Sequence, residues 1–281
     1  MQDKDLEERL IQDNWLTPQQ LVLATHEAKR LNKSIWVSLA KLGILSQDDI
    51  AAFFAQESGI PYVRISDYQI NSEVICLLEE DFCRQNSVLP LFKIAERLFV
   101  ACANPWDTTV IDSIVTKGGF DVEPLIASPY SISQAQDYYY GHQEKIFDLR
   151  RFILKDKPAC SMPFYRSSKR VPFNISVCLL VEAKEVVLNS SSPIEGTTQD
   201  ISYNGTAIGL HIFLFIPKGT TVILEFRLPA ESASPSIIKA KGEIVYCRME
   251  KQLRYFLGVK FLAIEDNARS ELLNLAKHNE L

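Results

Sequence analysis

Over the first sixty residues, apolar positions recur at the helical period. Thr17 precedes Pro18, and the run PQQLVLATHEAKRL then places its apolar residues on one helical face. Threonine as cap with proline at the first position predicts a helix start there. A second start is predicted at Ser46, where Asp49 follows three residues later, a capping-box pattern with Asp in place of Glu or Gln. The two starts are related. DNWLTPQQL (13–21) aligns with KLGILSQDDI (41–50), matching Asn14 with Gly43, Trp15 with Ile44, Leu16 with Leu45 and Thr17 with Ser46. Two copies are too few for a solenoid, so the pattern predicts a pair of helical hairpins packed on each other.

The pattern changes after residue 64. SVLPLFKIA and RLFVACANP read as strands, and DTTVIDSIVTKGG as a helix closed by Gly118 and Gly119. FDVEPLIAS reads as another strand, and SISQAQDYYYG as a helix capped by Ser131 and ended by Gly141. This order suits a small α/β layer over 65–141. Residues 142–163 form a charged connecting segment, with a helix expected in its first half. From 164 onward, NISVCLLVEA, GTAIGLHIF, TVILEFRL, IIKAKGEIVYCRM and RYFLGVKFL follow one another with turn residues between them. That spacing predicts an antiparallel barrel or sandwich over 164–281. DNARSELLNLAKHNEL closes the chain as an amphipathic helix. The fold class is therefore multidomain α+β: a helical repeat (1–64), an α/β layer (65–141), a linker (142–163) and a β-barrel with a C-terminal helix (164–281).

Composition narrows the function. The 281 residues carry a net charge of −5, which argues against a broad DNA, RNA or membrane surface. A small anionic ligand needs only a few local arginines. The polar N-terminus lacks an apolar signal region, and no apolar run is long enough to span a bilayer, so the expected location is the cytoplasm. Cys76, Cys83, Cys102, Cys160, Cys178 and Cys247 are scattered without a C-x-x-C pair, and the four histidines lie far apart. Neither set predicts a metal site, and the cysteines read as reduced, mostly buried thiols. No G-x-x-x-x-G-K-[S/T] loop and no Ser/His/Asp arrangement occurs, so no enzyme activity and no cofactor are expected.

Two short elements carry the candidate chemistry. Arg166-Ser-Ser-Lys-Arg170 directly precedes Val171 and Pro172, and Asp200-Ile-Ser202-Tyr-Asn-Gly205 follows about thirty residues later. Guanidinium groups bind phosphate oxygens in paired hydrogen bonds and also match the O6/N7 edge of guanine. Asp200 can accept from guanine N1–H and the exocyclic amine, Ser202 adds a hydroxyl, and Gly205 permits φ > 0 and close backbone approach. Among thirteen arginines an R-x-x-x-R pair is expected about once by chance, whereas D/N-x-S-x-x-G is expected roughly a tenth of a time. Their joint occurrence, in order and beside strands of one domain, is the specific signal. Asp200 and Ser202 could alternatively form only a turn before Gly205.

RSSKRVPFNISVCL, QDISYNGTAIGL, GEIVYCRM and LGVKFL with the closing helix resemble a PilZ domain over about 164–281. That resemblance implies that Arg166, Arg170, Asp200, Ser202 and Gly205 clasp cyclic di-GMP. Many members carry another basic residue before the first arginine. Here it is Tyr165, which either stacks on a base or remains a surface aromatic. Residues 1–141 resemble the N-terminal domain of type II secretion and type IV pilus assembly ATPases, the MshEN type. The repeat, AQESGIPYVRIS (55–66), VLPLF…LFVACANPWD and SISQAQDYYYG carry this likeness. Some such domains bind cyclic di-GMP through two motifs beginning R-L-G. Here those positions read Asp5-Leu6-Glu7 and Ser34-Ile35-Trp36, with Gly43 and Gln56 surviving in the second copy. Without the arginine, binding there should be lost.

The expectation is a cyclic di-GMP receptor. It would relay the ligand through an N-terminal docking domain to a protein partner in a secretion, pilus or other envelope machine. The alternative is a ligand-blind PilZ-type scaffold of such a system.

Overall fold

The computed structural model describes residues 3–141, 170–190, 192–202, 204–228, 237–250 and 253–278. They form two compact units. Of the described residues, the first contains 3–66, 72–91 and 96–141; the second contains 67–71, 92–95 and those from 170 onward.

The first unit opens with four helices: α1 (Asp3–Gln12), α2 (Pro18–Leu31), α3 (Ile35–Lys41) and α4 (Gln47–Ser58). The repeat is visible in the backbone. Asn14, Trp15 and Leu16 donate to the carbonyls of Ile11, Leu10 and Leu10; Gly43, Ile44 and Leu45 donate to those of Ala40, Leu39 and Leu39. The pivot residues Asn14 and Gly43 both take positive φ, 59° and 65°. Glycine does so freely, and asparagine is among the few side chains that tolerate it. The helix after each pivot starts with a closed capping box, Thr17 with Gln20 and Ser46 with Asp49. Leu10, Leu39, Phe53 and Phe54 are buried between the copies. Trp36 stacks on Phe53, and Trp15 meets the same ring edge-on.

Beyond α4 come the short β1 (Tyr68–Gln69), α5 (Ser72–Ile75) and α6 (Glu80–Asn86). They are followed by β2 (Val88–Ile94), β3 (Arg97–Cys102), α7 (Thr108–Gly118), β4 (Asp121–Ile126) and α8 (Pro129–Tyr140). β2, β3 and β4 form a three-stranded sheet in that order, with β3 and β4 parallel across the α7 crossover. Helix α8 begins one turn earlier than its sequence suggested. Ser128, not Ser131, is the cap, and Pro129 takes the first helical position. Ser131 instead donates to Asp48 Oδ1 at 3.0 Å, tying α8 to α4.

The second unit is built on β5 (Arg170–Pro172), β6 (Ser176–Val181), β7 (Val187–Leu188), β8 (Ile194–Ser202) and β9 (Ala207–Ile212). It continues with β10 (Thr221–Arg227), β11 (Ile237–Met249), β12 (Tyr255–Ala263) and α9 (Asp266–His278). β8, β6, β10, β11, β12 and β9 pair in that order, and β9 returns to β8, which closes a six-stranded antiparallel barrel. β5 adds to β8 from outside this ring. Ile201, Ile208, Leu210, Val222, Leu224, Phe226, Leu257 and Val259 point inward and are fully buried. β10 shows the two-residue alternation cleanly, with Val222, Leu224 and Phe226 inside. β1 pairs antiparallel with β7, and the Tyr68 hydroxyl donates to the Phe215 carbonyl.

The helix expected early in the connecting segment lies outside the described residues. No helix of the described residues is long and apolar enough to cross a membrane.

Candidate functional site at the β5–β8–β9 corner

β8 carries Asp200 and Ser202 at its C-terminal end, where it leaves β6 and pairs with both β5 and β9. The register places Arg170 opposite Ser202 and Pro172 opposite Asp200. Residues thirty apart in sequence therefore share one strand end. Arg170 Nε donates to Asp200 Oδ1 at 2.8 Å, and Nη2 lies 2.7 Å from the same oxygen. The two side chains are only 16% and 15% exposed, so this pair is less screened than an ordinary surface bridge.

The pairing is incomplete. Nη2 is buried, and although it is near Asp200 Oδ1 it has no aligned hydrogen-bond acceptor among the described residues. Both nitrogens crowd one carboxylate oxygen, so the fork is not matched to two oxygens as in a bidentate pair. A buried guanidinium N–H without an aligned acceptor is unfavourable and suits an incoming oxygen.

Ser202 behaves differently. Its hydroxyl accepts from the N–H groups of Thr206 and Ala207, both at 3.0 Å, and lies 2.9 Å from Asn204 Oδ1, to which it donates. Gly205 N donates to the Ser202 carbonyl at 2.8 Å, and Gly205 takes φ 64°. The hydroxyl thus builds the turn, and glycine allows its left-handed step. Arg170, Asp200, Ser202 and Gly205 come together at this corner. Arg166 and Tyr165 lie outside the described residues.

Two further residues belong to the corner and were missed in the sequence. Gly209 stands opposite Asp200 across the ladder, and a Cβ there would overlap the Asp200 carboxylate and the Phe256 ring. A glycine inside the apolar strand AIGLHI is the signal that marks such a close approach. The other is Arg269 of α9, whose Cγ would lie 2.9 Å from a Cβ on Gly205. Spacing along the chain gives no hint of it. On the same outer wall, His211 pairs with Glu250 at 3.0 Å and stacks near Phe256, which accounts for that histidine as a partnered, nearly buried group.

Other reactive groups fit structural roles. Burial pushes the Cys83 thiol up to about 11 and the Cys102 thiol up to about 12, which keeps both neutral. No cluster of metal-ligating side chains occurs among the described residues.

Residues 58–146 match the family model of the MshEN domain, and residues 165–278 match that of the PilZ domain. The chain thus joins an MshEN domain to a PilZ domain. The type IV pilus assembly ATPase PilB of Myxococcus xanthus is 25% identical over 138 residues, which is 49% of this chain and 24% of that protein. PilB of Thermus thermophilus is 29% identical over 124 residues, 43% of this chain and 14% of that protein. The chain therefore spans about a quarter or less of the curated relatives it matches. Among solved structures, MshE with cdg is 23% identical with a TM-score of 0.41, covering 48% of this chain and 98% of that one. The N-terminal domain of XpsE is 24% identical with a TM-score of 0.37, covering 50% of this chain and 96% of that one. The PilZ domain of CeSA from a cellulose-synthesizing bacterium is 15% identical with a TM-score of 0.27, covering 41% of this chain and 100% of that one.

Proposed function

We propose that this protein is a receptor for cyclic di-GMP that binds the dinucleotide at the β5–β8 corner and catalyses nothing itself. The observation that carries the reading is the meeting of Arg170 and Asp200 with a buried guanidinium nitrogen that lacks an aligned acceptor among the described residues. A guanine presents acceptors O6 and N7 to an arginine and donors N1–H and N2–H to a carboxylate, so the pair is complementary to one base and its phosphate. In this reading Arg166 is the second guanidinium, and Tyr165, its neighbour in sequence, either stacks on a base or is a surface aromatic. Ser202 and Gly205 shape the turn. The PilZ match over 165–278 supports this ligand.

The N-terminal unit then acts as the docking part. Its likeness to PilB supports a partner in a type IV pilus or related secretion machine. It is not a second nucleotide site in this reading. Gln56, the surviving glutamine of the second copy, donates to Asp13, and Arg9 pairs with Glu57, so both groups are held by neighbours of the same unit.

A ligand-blind scaffold is the competing reading. The observation favouring it is the complete engagement of the Ser202 hydroxyl within its own turn. Calorimetric titration of cyclic di-GMP into the full chain and an Arg166→Ala/Arg170→Ala variant separates the two. The receptor reading expects binding heat in the first and loss in the second. Heat in neither supports the scaffold, and equal heat in both moves the site elsewhere.

A further inference from the structure

Arg269 lies one turn into α9, far in sequence from both motifs, and α9 packs on β5, the strand that carries Arg170. Its stem rests on the Cα of Gly205. A Cβ at that glycine would lie 2.9 Å from Arg269 Cγ, 3.3 Å from its Cδ and 3.1 Å from Leu273 Cδ1. Gly205 in turn is hydrogen-bonded to Ser202, which faces Arg170 across the ladder. The chain of contacts Arg170–Ser202–Gly205–Arg269 therefore sets the stem of an α9 arginine against the turn of the same corner.

The head group of Arg269 is poorly matched by the protein. Nε is buried with no hydrogen-bond partner among the described residues. Nη1 lies 3.4 Å from Asp266 Oδ1, but the Asp266 side chain is 93% exposed, so water and salt weaken that contact. A residue needed only for packing would serve as well with an apolar end. A buried N–H without an acceptor beside the Arg170–Asp200 corner is suited to an acceptor from outside the chain.

We propose that Arg269 is a third cation of the corner and holds a phosphate oxygen of the bound dinucleotide, a role that rests on the receptor reading above. The pinned stem limits the freedom the side chain loses on binding, and the exposed Asp266 releases the guanidinium at little cost. The C-terminal helix thereby becomes part of the ligand site rather than a lid on the barrel wall alone.

The test uses the full chain with Arg269→Met, which keeps the stem, and Arg269→Lys, which keeps stem and charge. Calorimetry with cyclic di-GMP at low and high salt gives affinity, and thermal unfolding gives stability. The expected result is a loss of about tenfold to a hundredfold for Arg269→Met with an unchanged melting point. Arg269→Lys should fall between Arg269→Met and the unaltered protein, and Arg269→Met should show a shallower salt dependence. Affinity equal to that of the unaltered protein in Arg269→Met overturns the proposal. So does an equal loss in both variants accompanied by an equal drop in melting point. If the unaltered protein gives no heat, or Arg170→Ala binds as tightly as it does, the receptor reading itself fails whatever Arg269 does.

Discussion

Arg84 and Arg170 are both arginines drawn out of solvent, yet their surroundings differ. Arg84, in the N-terminal unit, has a side chain only 3% exposed. Its Nε donates to Glu80, Nη1 to Asp137, and Nη2 to the carbonyls of Gln136 and Gly141. The guanidinium is engaged at every nitrogen and fastens the end of α8 to α6. Arg170, in the barrel unit, meets one carboxylate oxygen with two nitrogens, and Nη2 has no aligned acceptor among the described residues. The first arrangement is complete without any other molecule. The second is an unfinished contact. In the proposed function the difference separates an arginine that holds a fold from one available to a ligand, although residue type alone does not tell the two apart.

The largest effect is expected at Arg84. Arg84→Ala removes four hydrogen bonds and leaves Asp137 and Glu80 partly buried without their cation. Those carboxylates are 23% and 33% exposed, so a cost of about 3 kcal/mol is expected, toward the low end for a broken buried pair. Urea unfolding should show this loss, with cyclic di-GMP affinity unchanged. Arg170→Ala should act mainly on binding: affinity falls by about tenfold to a hundredfold, and stability by about 2 kcal/mol, less than at Arg84 because one partly buried ion pair is broken rather than four hydrogen bonds. Calorimetry and urea unfolding on the same samples check both halves. A variant of Arg170 as destabilising as that of Arg84 would erase the distinction.

Two glycines sharpen it at lower energy. Gly205→Ala places a Cβ at φ 64° and 2.9 Å from Arg269 Cγ, combining left-handed strain with a clash. It should cost about 2 kcal/mol and weaken ligand binding, read by thermal unfolding and titration. Gly43→Ala meets the same backbone strain at φ 65° with nothing within 4 Å. It should therefore cost only about 1 kcal/mol and leave binding alone. Gly43→Asn should recover part of that loss, because Asn14 already occupies the equivalent position.

The smallest effect concerns pH. The Cys83 thiol rises from 9.0 to about 11 on folding, through burial, so the unfolded chain ionises first. Stability from this group is complete below pH 9 and is lost as pH climbs through about 11. Thermal melts of the full chain across that window, compared with Cys83→Ala, test the direction.

Much of this organisation was legible in the sequence, for identifiable reasons. The repeat was readable because a positive-φ pivot followed by a capped helix leaves a strong local signature, Asn14 to Thr17 and Gly43 to Ser46. The barrel strands β6, β9, β10, β11 and β12 were readable from long apolar runs. β8 was not, although it carries Asp200 and Ser202. Its sequence IEGTTQDIS is polar and contains a glycine, and only Thr198, Ile201 and Ser202 are buried. Its strand character comes from pairing on both sides with β6, β5 and β9, a tertiary effect that local propensity does not report. Ser131 was mistaken for the α8 cap because two serines flank the helix start, and Pro129 decides in favour of Ser128. Arg269 was invisible because nothing local connects a helix at the chain end with a turn sixty residues earlier.

In the proposed function the dinucleotide sits at the barrel corner and not in the helical repeat. Amide hydrogen exchange of the full chain with and without saturating cyclic di-GMP tests it most directly. Slowed exchange is expected at Arg170 and Val171, in the turn from Ser202 to Ala207 and in the first turns of α9, with the pivots at Asn14 and Gly43 unchanged. Slowed exchange confined to those pivots, with the barrel corner unaffected, would contradict it.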